Sequence, residues 1–223
     1  MPSHRLWAFE RGVLWALNLE GLEERAPATP TPPHASAAPM ICEETHLEAD
    51  EAAALLAQAM GLAGSSEIRR RLAAGNRCFV ARGDGGVVAG YGWVSRGEER
   101  IGELERTLLM APDEAYIWDC ATLPPYRRRG VYTTLLLAMA EALRGEGARR
   151  LWIGAARGNR PSLRGFARAG FEPVARVAFL RALGLRRFWL RAEPGAPPTL
   201  VAEARRALLG KPVGSERVAP ARL

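Results

Sequence analysis

The sequence predicts an α+β fold of three layers, in which helices flank a mixed, mostly antiparallel central sheet. Three observations support this prediction. The composition, 48% hydrophobic and 25% charged over 223 residues, is typical of one globular domain with appendages. Two apolar segments on either side of the glycine-rich turn Gly83–Gly86 predict a hairpin. The second half alternates strand, helix, strand, helix and strand, which places helices against a sheet.

Short apolar or alternating segments, bounded by glycine, proline or polar residues, predict the strands. Gly12 separates the first two of them, and the pair Pro124-Pro125 ends the seventh. In chain order the predicted strands are Leu6–Phe9, Val13–Leu19, Met40–Thr45, Cys78–Ala81, Val87–Val94, Ile101–Met110, Ala115–Thr122, Leu151–Ala156, Phe171–Leu180 and Phe188–Arg191.

Helices are predicted where apolar residues recur at helical spacing or where capping residues occur. Glu48–Met60 is rich in Ala and Leu and carries acidic residues in its first turn. Ser65–Glu67 caps a second helix that ends at Gly75. Val131–Leu143 repeats apolar residues on one face, as a helix packed on a sheet requires. The remaining predicted helices are Ser162–Ala169, closed by Gly170, and Leu200–Leu209.

Changes in composition divide the chain into three predicted regions. Residues 1–39 hold the first strands and a proline-rich connector, Ala26–Pro39; residues 40–191 form the main domain, and residues 192–223 form a basic tail. No apolar run approaches the ~20 residues of a membrane span. The N-terminus carries Glu10 and Arg11 where a signal peptide needs an unbroken apolar core. We therefore expect a cytoplasmic protein without a membrane partner.

The cysteines do not predict a covalent framework or a metal site. Cys42, Cys78 and Cys120 leave one thiol unpaired and form no CxxC pair. Cys42 and His46 lack the two further ligands that a zinc site needs. No metal is therefore expected.

Charge is distributed unevenly along the chain. Residues 124–223 carry 20 Lys and Arg against 6 Asp and Glu, whereas residues 1–123 carry 11 against 18. This asymmetry suggests an anionic ligand for the second half and a cationic one for the first. The bias towards Arg fits a GC-rich genome equally well. A basic nucleic-acid-binding module is an alternative function, but we expect no nucleic-acid partner because no basic stretch is interleaved with aromatic residues.

The segment Asp119–Thr134 carries the clearest functional signal. A strand ends at two prolines, three consecutive arginines follow, and Gly130 opens an amphipathic helix. Free N–H groups and the positive dipole end of a helix favour an anion at this point. Gly130 allows the backbone to approach a ligand closely. The alternative is a solvated basic loop that merely precedes a helix.

Two motifs resemble those of the GCN5-related N-acetyltransferase (GNAT) family. The loop resembles motif A, Q/R-x-x-G-x-G/A, with Tyr132 in place of the small last residue. The segment after the next strand resembles motif B, N-x-x-A-x-x-x-Y-x-K-x-G-F. Its matching positions are Leu151, Ile153, Asn159, Ser162, Phe166, Arg168, Gly170 and Phe171. The resemblance covers about Met40 to Leu180 and implies the GNAT fold.

The resemblance implies an N-acetyltransferase that moves an acetyl group from acetyl-CoA to a primary amine. The amine would attack the thioester directly in a ternary complex. Backbone N–H groups of the loop would bind the pyrophosphate, and the strand before it would pair with the pantetheine arm like an added strand. The implied acetyl-CoA-binding residues are Thr122, Leu123, Arg127, Arg128, Arg129, Gly130, Val131, Tyr132, Thr133, Asn159, Ser162 and Phe166. The expected partners are acetyl-CoA and an amine acceptor, with a homodimer as a further expectation.

Acetyl transfer needs a base for the amine and a proton for the leaving thiolate. Asp119, in an apolar strand beside the implied thioester position, is the predicted base; a structural, hydrogen-bonded Asp is the alternative. The motif B tyrosine, the acid in much of the family, is Phe166 here and cannot donate. Tyr132 is the predicted acid, with Tyr126 or water as alternatives. A CoA-binding sensor without turnover also stays open.

The acceptor site is predicted from single aromatic and acidic residues rather than from a motif. Trp93, Trp118 and Glu103 are the predicted acceptor-binding residues, and Tyr91 and Tyr116 are further aromatic candidates for this site. Glu103 and Glu105 are also weaker candidates for the base. Aromatic residues at strand spacing also occur as ordinary core residues. The sequence does not identify the amine.

Overall fold

The computed structural model describes residues 7–20, 41–45, 49–60, 65–183 and 185–209. The strands in this part of the chain are β1 Trp7–Asn18, β2 Ile41–Glu44, β3 Arg77–Arg82, β4 Val88–Ser95, β5 Glu98–Ile101, β6 Arg106–Leu109, β7 Glu114–Thr122, β8 Arg150–Ala156, β9 Glu172–Ala182 and β10 Leu185–Ala192. The helices are α1 Ala49–Met60, α2 Ser65–Ala73, α3 Val131–Gly145, α4 Arg160–Arg168 and α5 Pro198–Leu208. The predicted connector Ala26–Pro39 and His46 lie outside the described residues.

Eight strands form one sheet in the order β10-β9-β1-β8-β7-β4-β3-β2. The pair β7–β8 is parallel and the other described neighbours in this sheet are antiparallel. The helix α3 makes the crossover that a parallel pair requires. The predicted mixed, mostly antiparallel sheet is therefore confirmed.

The strand β1 lies in the interior of this sheet, between β8 and β9. It runs through Gly12 without interruption, although the sequence suggested two strands there. An added Cβ at Gly12 would lie 3.2 Å from the Val177 side chain and 3.3 Å from the Ala155 carbonyl oxygen. The glycine thus permits close packing rather than a turn. Since β1 pairs on both edges, this part of the predicted N-terminal region belongs to the same sheet as the main domain.

Helices cover both faces of the sheet and make three layers. On one face α3 and α4 pack through Leu135, Met139 and Phe166, all buried. On the other face α5 packs against β9 and the β5–β6 hairpin through Val201 and Leu208. The helices α1 and α2 cover β3 and β4 on that second face. The helix α5, predicted over Leu200–Leu209, begins two residues earlier at Pro198 and buries Val201 and Leu208.

The predicted strand Ile101–Met110 is instead a small hairpin, β5–β6, separated by a short 3₁₀ turn at Gly102–Leu104. Glu105 adopts the left-handed region (φ 46°), which reverses the chain. No helix in the described residues is long and apolar enough to cross a membrane. In the same residues no three His, Cys, Asp or Glu side chains form a group that could hold a metal ion.

Candidate active site

The parallel strands β7 and β8 separate part-way along their length. They pair from Glu114–Arg150 to Ile117–Ile153, after which β7 continues to Thr122 and β8 to Ala156 without pairing with each other. Beyond Ile117, β7 keeps β4 as its partner on the other edge. The two strands therefore enclose a wedge, and the wedge side of β7 presents a strand edge that an extended ligand can pair with.

A β-bulge in β7 lies inside this wedge. Trp118 pairs with Trp93 and Ala121 with Tyr91, so two residues of β7 face the single residue Gly92 of β4. Asp119, the first of the two, has a left-handed backbone (φ 42°), which is strained for a residue other than glycine. The bulge bends β7 away from β8 and directs the Asp119 side chain into a cleft on the α5 face of the sheet.

The loop between β7 and α3 has the features of an anion site. The residues Arg127, Arg128 and Arg129 are exposed, and α3 begins at Val131 with no side-chain cap. The N–H groups from Arg128 to Thr133 have no backbone acceptor among the described residues. Gly130 has φ +82°, and an added Cβ there would meet nothing within 4 Å. The space around Gly130 and the N–H groups on either side of it fit a pyrophosphate.

Several predicted binding residues contribute backbone rather than side chains to this loop. Val131 and Thr133 are 2% and 7% exposed, so their side chains pack inward. The Arg127 Nε donates to the Thr122 carbonyl oxygen at 3.1 Å, which ties the loop to the end of β7. The Leu123 N–H donates to the Ala89 carbonyl oxygen at 2.9 Å, so that donor is already used.

The predicted motif B residues lie at the start of α4. Asn159 caps the helix, since its Oδ1 accepts from the Ser162 N–H at 3.3 Å. Burial raises the pKa of Tyr132, and the nearby Ser162 side chain lowers it by less, so this phenol stays protonated near neutral pH. The Tyr132 ring lies against Gly165 of α4, where an added Cβ would lie 2.5 Å from Cδ1. A large residue on α3 therefore faces the smallest residue on α4.

Phe166 is a core residue. It is 1% exposed, and its ring contacts Trp15 of β1 in an edge arrangement with centroids 5.8 Å apart, as well as Tyr132 and Phe171. The ring thus fills the space between α4 and the sheet, and it carries no group that could move a proton.

The wedge opens on the α5 face into a cleft of about 570 Å³. Both separated strands line it, through Trp118 and Asp119 of β7 and Gly154 of β8, and the β5–β6 hairpin closes one side with Glu103. Arginines and carboxylates both occur on the walls beside apolar side chains. A cleft of this size accepts a small molecule or the end of a peptide.

Asp119 is held by an arginine that sequence reasoning missed. Its Oδ2 accepts from Arg71 Nη1 at 2.5 Å, and its Oδ1 has no hydrogen-bond partner among the described residues. The Arg71 guanidinium lies over the rings of Trp118 and Trp93, 4.4 and 5.1 Å from their centroids. Arg71 also bonds to Glu67 at 2.8 Å, which connects α2 to the bulge. Hydrogen bonds from two arginines of α2 lower the pKa of Glu67 to about 2.

The predicted acceptor residues have different positions. Trp118 and Glu103 line the cleft, and Glu103 is exposed. Trp93 is 0% exposed and lies beneath Arg71, so it supports the cleft without lining it. Strand alternation points its side chain towards the core under α1 and α2. Glu105 bonds to Arg181 at 2.7 Å and does not line the cleft.

Tyr116 is a further cleft residue. Its hydroxyl would lie 3.6 Å from a Cβ at Gly154, at the point where the two strands separate. Burial raises the pKa of Tyr116, and the charges of Glu103 and Glu99 raise it further, so the phenol stays protonated. Strand spacing predicted Tyr91 and Tyr116 as further aromatic residues of the acceptor site; of these two, Tyr116 lines the cleft and Tyr91 does not.

The comparison with protein families decides the classification. The acetyltransferase (GNAT) family model matches residues 43–171, more than half of the chain. The chain belongs to the GNAT acetyltransferase family. The wedge, the uncapped helix and the bulge all lie within the matched residues, and the resemblance based on motifs A and B is confirmed. No curated protein sequence matches the chain.

Solved structures support the fold. A tandem GNAT protein from the clavulanic acid biosynthesis pathway, solved without acetyl-CoA, is 21% identical with a TM-score of 0.51; the match covers 82% of this chain and 54% of that one. A GNAT-family acetyltransferase from Colwellia psychrerythraea is 12% identical with a TM-score of 0.50, over 77% and 56% of the two chains. This GNAT chain thus spans about half the length of these two structures.

Proposed function

We propose that this GNAT protein is an N-acetyltransferase that moves the acetyl group of acetyl-CoA to a primary amine by direct attack in a ternary complex. One observation carries the proposal: the strands β7 and β8 separate directly beside an uncapped helix start flanked by three arginines. The wedge has a free strand edge for an extended arm, the loop has unpaired N–H donors for phosphate, and the cleft has room for an acceptor.

The binding roles follow from these donors. The N–H groups from Arg128 to Thr133 hold the pyrophosphate, and the side chains of Arg127 and Arg129 add positive charge around it. The β7 edge up to Thr122 pairs with the pantetheine arm. The side-chain amide of Asn159 donates to the arm, since only its oxygen is used by the helix cap.

The chemical roles concern two protons. The amine nitrogen bonds to the thioester carbon while the carbon–sulfur bond breaks; the amine loses one proton and the thiolate gains one. The free Oδ1 of Asp119 accepts the amine proton. The Tyr132 hydroxyl, kept protonated by burial, donates a proton to the leaving thiolate. Trp118 and Glu103 contact the acceptor, and Trp93 holds Arg71 and Trp118 in place beneath it.

Thermal unfolding with acetyl-CoA tests binding. At 100 times the dissociation constant, linkage stabilises the fold by about 2.7 kcal/mol. For a chain of this size that corresponds to a melting shift of roughly 5–10 °C. Gly130→Asp should abolish the shift, since it brings a carboxylate to the phosphate site. Gly147→Asp is the matched control, because Gly147 at the other end of α3 also has φ +82° and open space around it. An unchanged melting temperature of the wild type refutes the proposal.

Thiol release with a panel of amines tests turnover. We expect release that depends on an amine, which separates an enzyme from a CoA-binding sensor. Tyr132→Phe should lower the rate by about 10²-fold or more if Tyr132 is the acid. Tyr116→Phe is the companion variant, since both phenols stay protonated but only Tyr116 lines the cleft. A loss confined to Tyr116→Phe transfers the acid role to that residue.

A further inference from the structure

A second groove lies on the α4 side of the strands β1, β9 and β10, next to the cleft, with which it shares the lining residues Arg11, Gly12 and Val177. It has a volume of about 480 Å³. Strand register places Arg11, Ala178 and Trp189 in one row across these strands, and Arg176 and Arg191 in the next row. The small side chain of Ala178 forms the floor between two long ones, which makes the surface concave. The opposite face of β9 packs in the core under α5.

Arginine and tryptophan alternate along β10 on this face. Arg187, Trp189 and Arg191 are two residues apart, so they point to the same side of the strand, and all three are exposed. Neither Arg187 nor Arg191 has a carboxylate partner among the described residues. By contrast, Arg186 points to the opposite face and pairs with Glu105 at 3.2 Å. Arg187 and Arg191 are thus available to a ligand.

The rest of the groove strengthens its positive charge. Arg157 follows β8, and its N–H donates to the Arg11 carbonyl oxygen at 3.0 Å, which holds it beside the first row. Its side chain is exposed and has no carboxylate partner in the described part of the chain. Glu193 is bound to Arg176 by two hydrogen bonds of 2.8 and 2.7 Å, so this carboxylate does not neutralise Arg157, Arg187 or Arg191.

The arrangement fits a chain of phosphates with bases better than a single anion. Arg187 and Arg191 lie four residues apart, about 13 Å along the strand, which is further than one phosphate group reaches. Between them the Trp189 ring, 45% exposed, offers a stacking surface. A positively charged groove with an exposed aromatic ring is the arrangement that binds single-stranded nucleic acid without sequence preference.

We propose that this groove binds single-stranded nucleic acid, with a base stacked on Trp189 and phosphates on Arg157, Arg187 and Arg191. The aromatic-interleaved basic stretch that seemed absent from the sequence is present at strand spacing. The exposed leucines at the tip of the β9–β10 hairpin, Leu183 and Leu185, are apolar contacts of the kind a membrane would use. The concave shape around Trp189 favours a nucleic-acid strand over a flat bilayer.

Fluorescence anisotropy of a labelled single-stranded oligouridylate, titrated with the full chain at several salt concentrations, tests the proposal. Three phosphate contacts predict a slope of log K against log salt of about −2, since each contributes about −0.7 on a single strand. Arg187→Ala should make the slope shallower by about 0.7. Trp189→Ala should weaken binding about tenfold or more without changing the slope. Melting curves verify that each variant is folded.

Arg186→Ala is the matched control, because it removes the same charge from the same strand on the opposite face. It should change binding less than Arg187→Ala does. Equal losses for the two variants, or no effect of Trp189→Ala, refute the groove as the site. Free uridine monophosphate that competes as well as the oligomer refutes a strand in favour of a single nucleotide. Binding to anionic phosphatidylserine vesicles that Trp189→Ala abolishes, with no binding of the oligomer, refutes it in favour of a membrane.

Discussion

The packing of Tyr132 against Gly165 makes a measurable prediction about the departure from motif A. Gly165 is inside α4, where replacing Gly by Ala ordinarily stabilises a helix by about 1 kcal/mol. Here the added Cβ would lie 2.5 Å from Cδ1 and 2.8 Å from Cε1 of the Tyr132 ring. Such overpacking costs roughly 1–3 kcal/mol. We therefore expect Gly165→Ala to lower the free energy of unfolding by about 1 kcal/mol.

The sign should reverse when the ring is removed. In a Tyr132→Ala background the same Cβ enters vacant space, so Gly165→Ala should stabilise the fold by about 1 kcal/mol. The two substitutions are thus coupled by about 2 kcal/mol in a double-mutant cycle. Urea unfolding of the four proteins measures this coupling, and 1 kcal/mol corresponds to about 2–4 °C in melting temperature for a chain of this size.

A helical glycine without a neighbour provides the control. Gly145, the last residue of α3, has nothing within 4 Å of an added Cβ. Gly145→Ala should therefore have the same effect in both backgrounds. If Gly165→Ala stabilises the protein whether or not Tyr132 is present, the ring does not lie on Gly165. The proposed acid role of Tyr132 would then lose its geometric basis.

Three other predictions concern the cleft and the helices around it. Asp119→Asn should keep the acetyl-CoA melting shift and lower amine-dependent thiol release about 10²–10⁴-fold. Full activity from roughly pH 6 to 9, where a lysine-type amine is mostly protonated and needs a base, would return Asp119 to a structural role. The pKa of Glu67 is lowered from 4.5 to about 2 in the folded protein, so Glu67 stabilises the fold above pH 4.5 and loses this effect as the pH falls towards 2. Because solvent screens this partly exposed carboxylate, its contribution to the free energy of unfolding is about 1 kcal/mol. The melting temperatures of wild type and Glu67→Gln should therefore converge at acidic pH, and a constant gap contradicts this. Glu114 is 0% exposed and accepts a hydrogen bond from Arg206 at 3.0 Å. Glu114→Ala should therefore lower the free energy of unfolding by about 3 kcal/mol, as measured by urea unfolding. A loss below the error of the measurement would show that α5 docks without this pair.

Local patterns were sufficient for most elements and for placing the three arginines at the start of a helix. The helix Val131–Leu143 and the strand Ala115–Thr122 were predicted because their apolar periodicity arises from packing on one sheet face. The three arginines before Gly130 are adjacent in the chain, so their common position at a helix start needed no long-range information. The hairpin β5–β6 was missed because Glu105, a residue with no turn preference as strong as glycine, adopts the left-handed region.

Contacts between distant segments were decided only by the tertiary structure. The placement of β1 between β8 and β9 depends on which strand edges are free, and a strand pattern does not encode its partner. The Arg71–Asp119 pair joins residues 48 positions apart. The groove at Trp189 needs the register of three strands to bring Arg157 and Arg191 near one ring. A single sequence records the local free-energy preferences of each segment, whereas burial, ion pairing and site geometry depend on which surfaces the assembled sheet brings together.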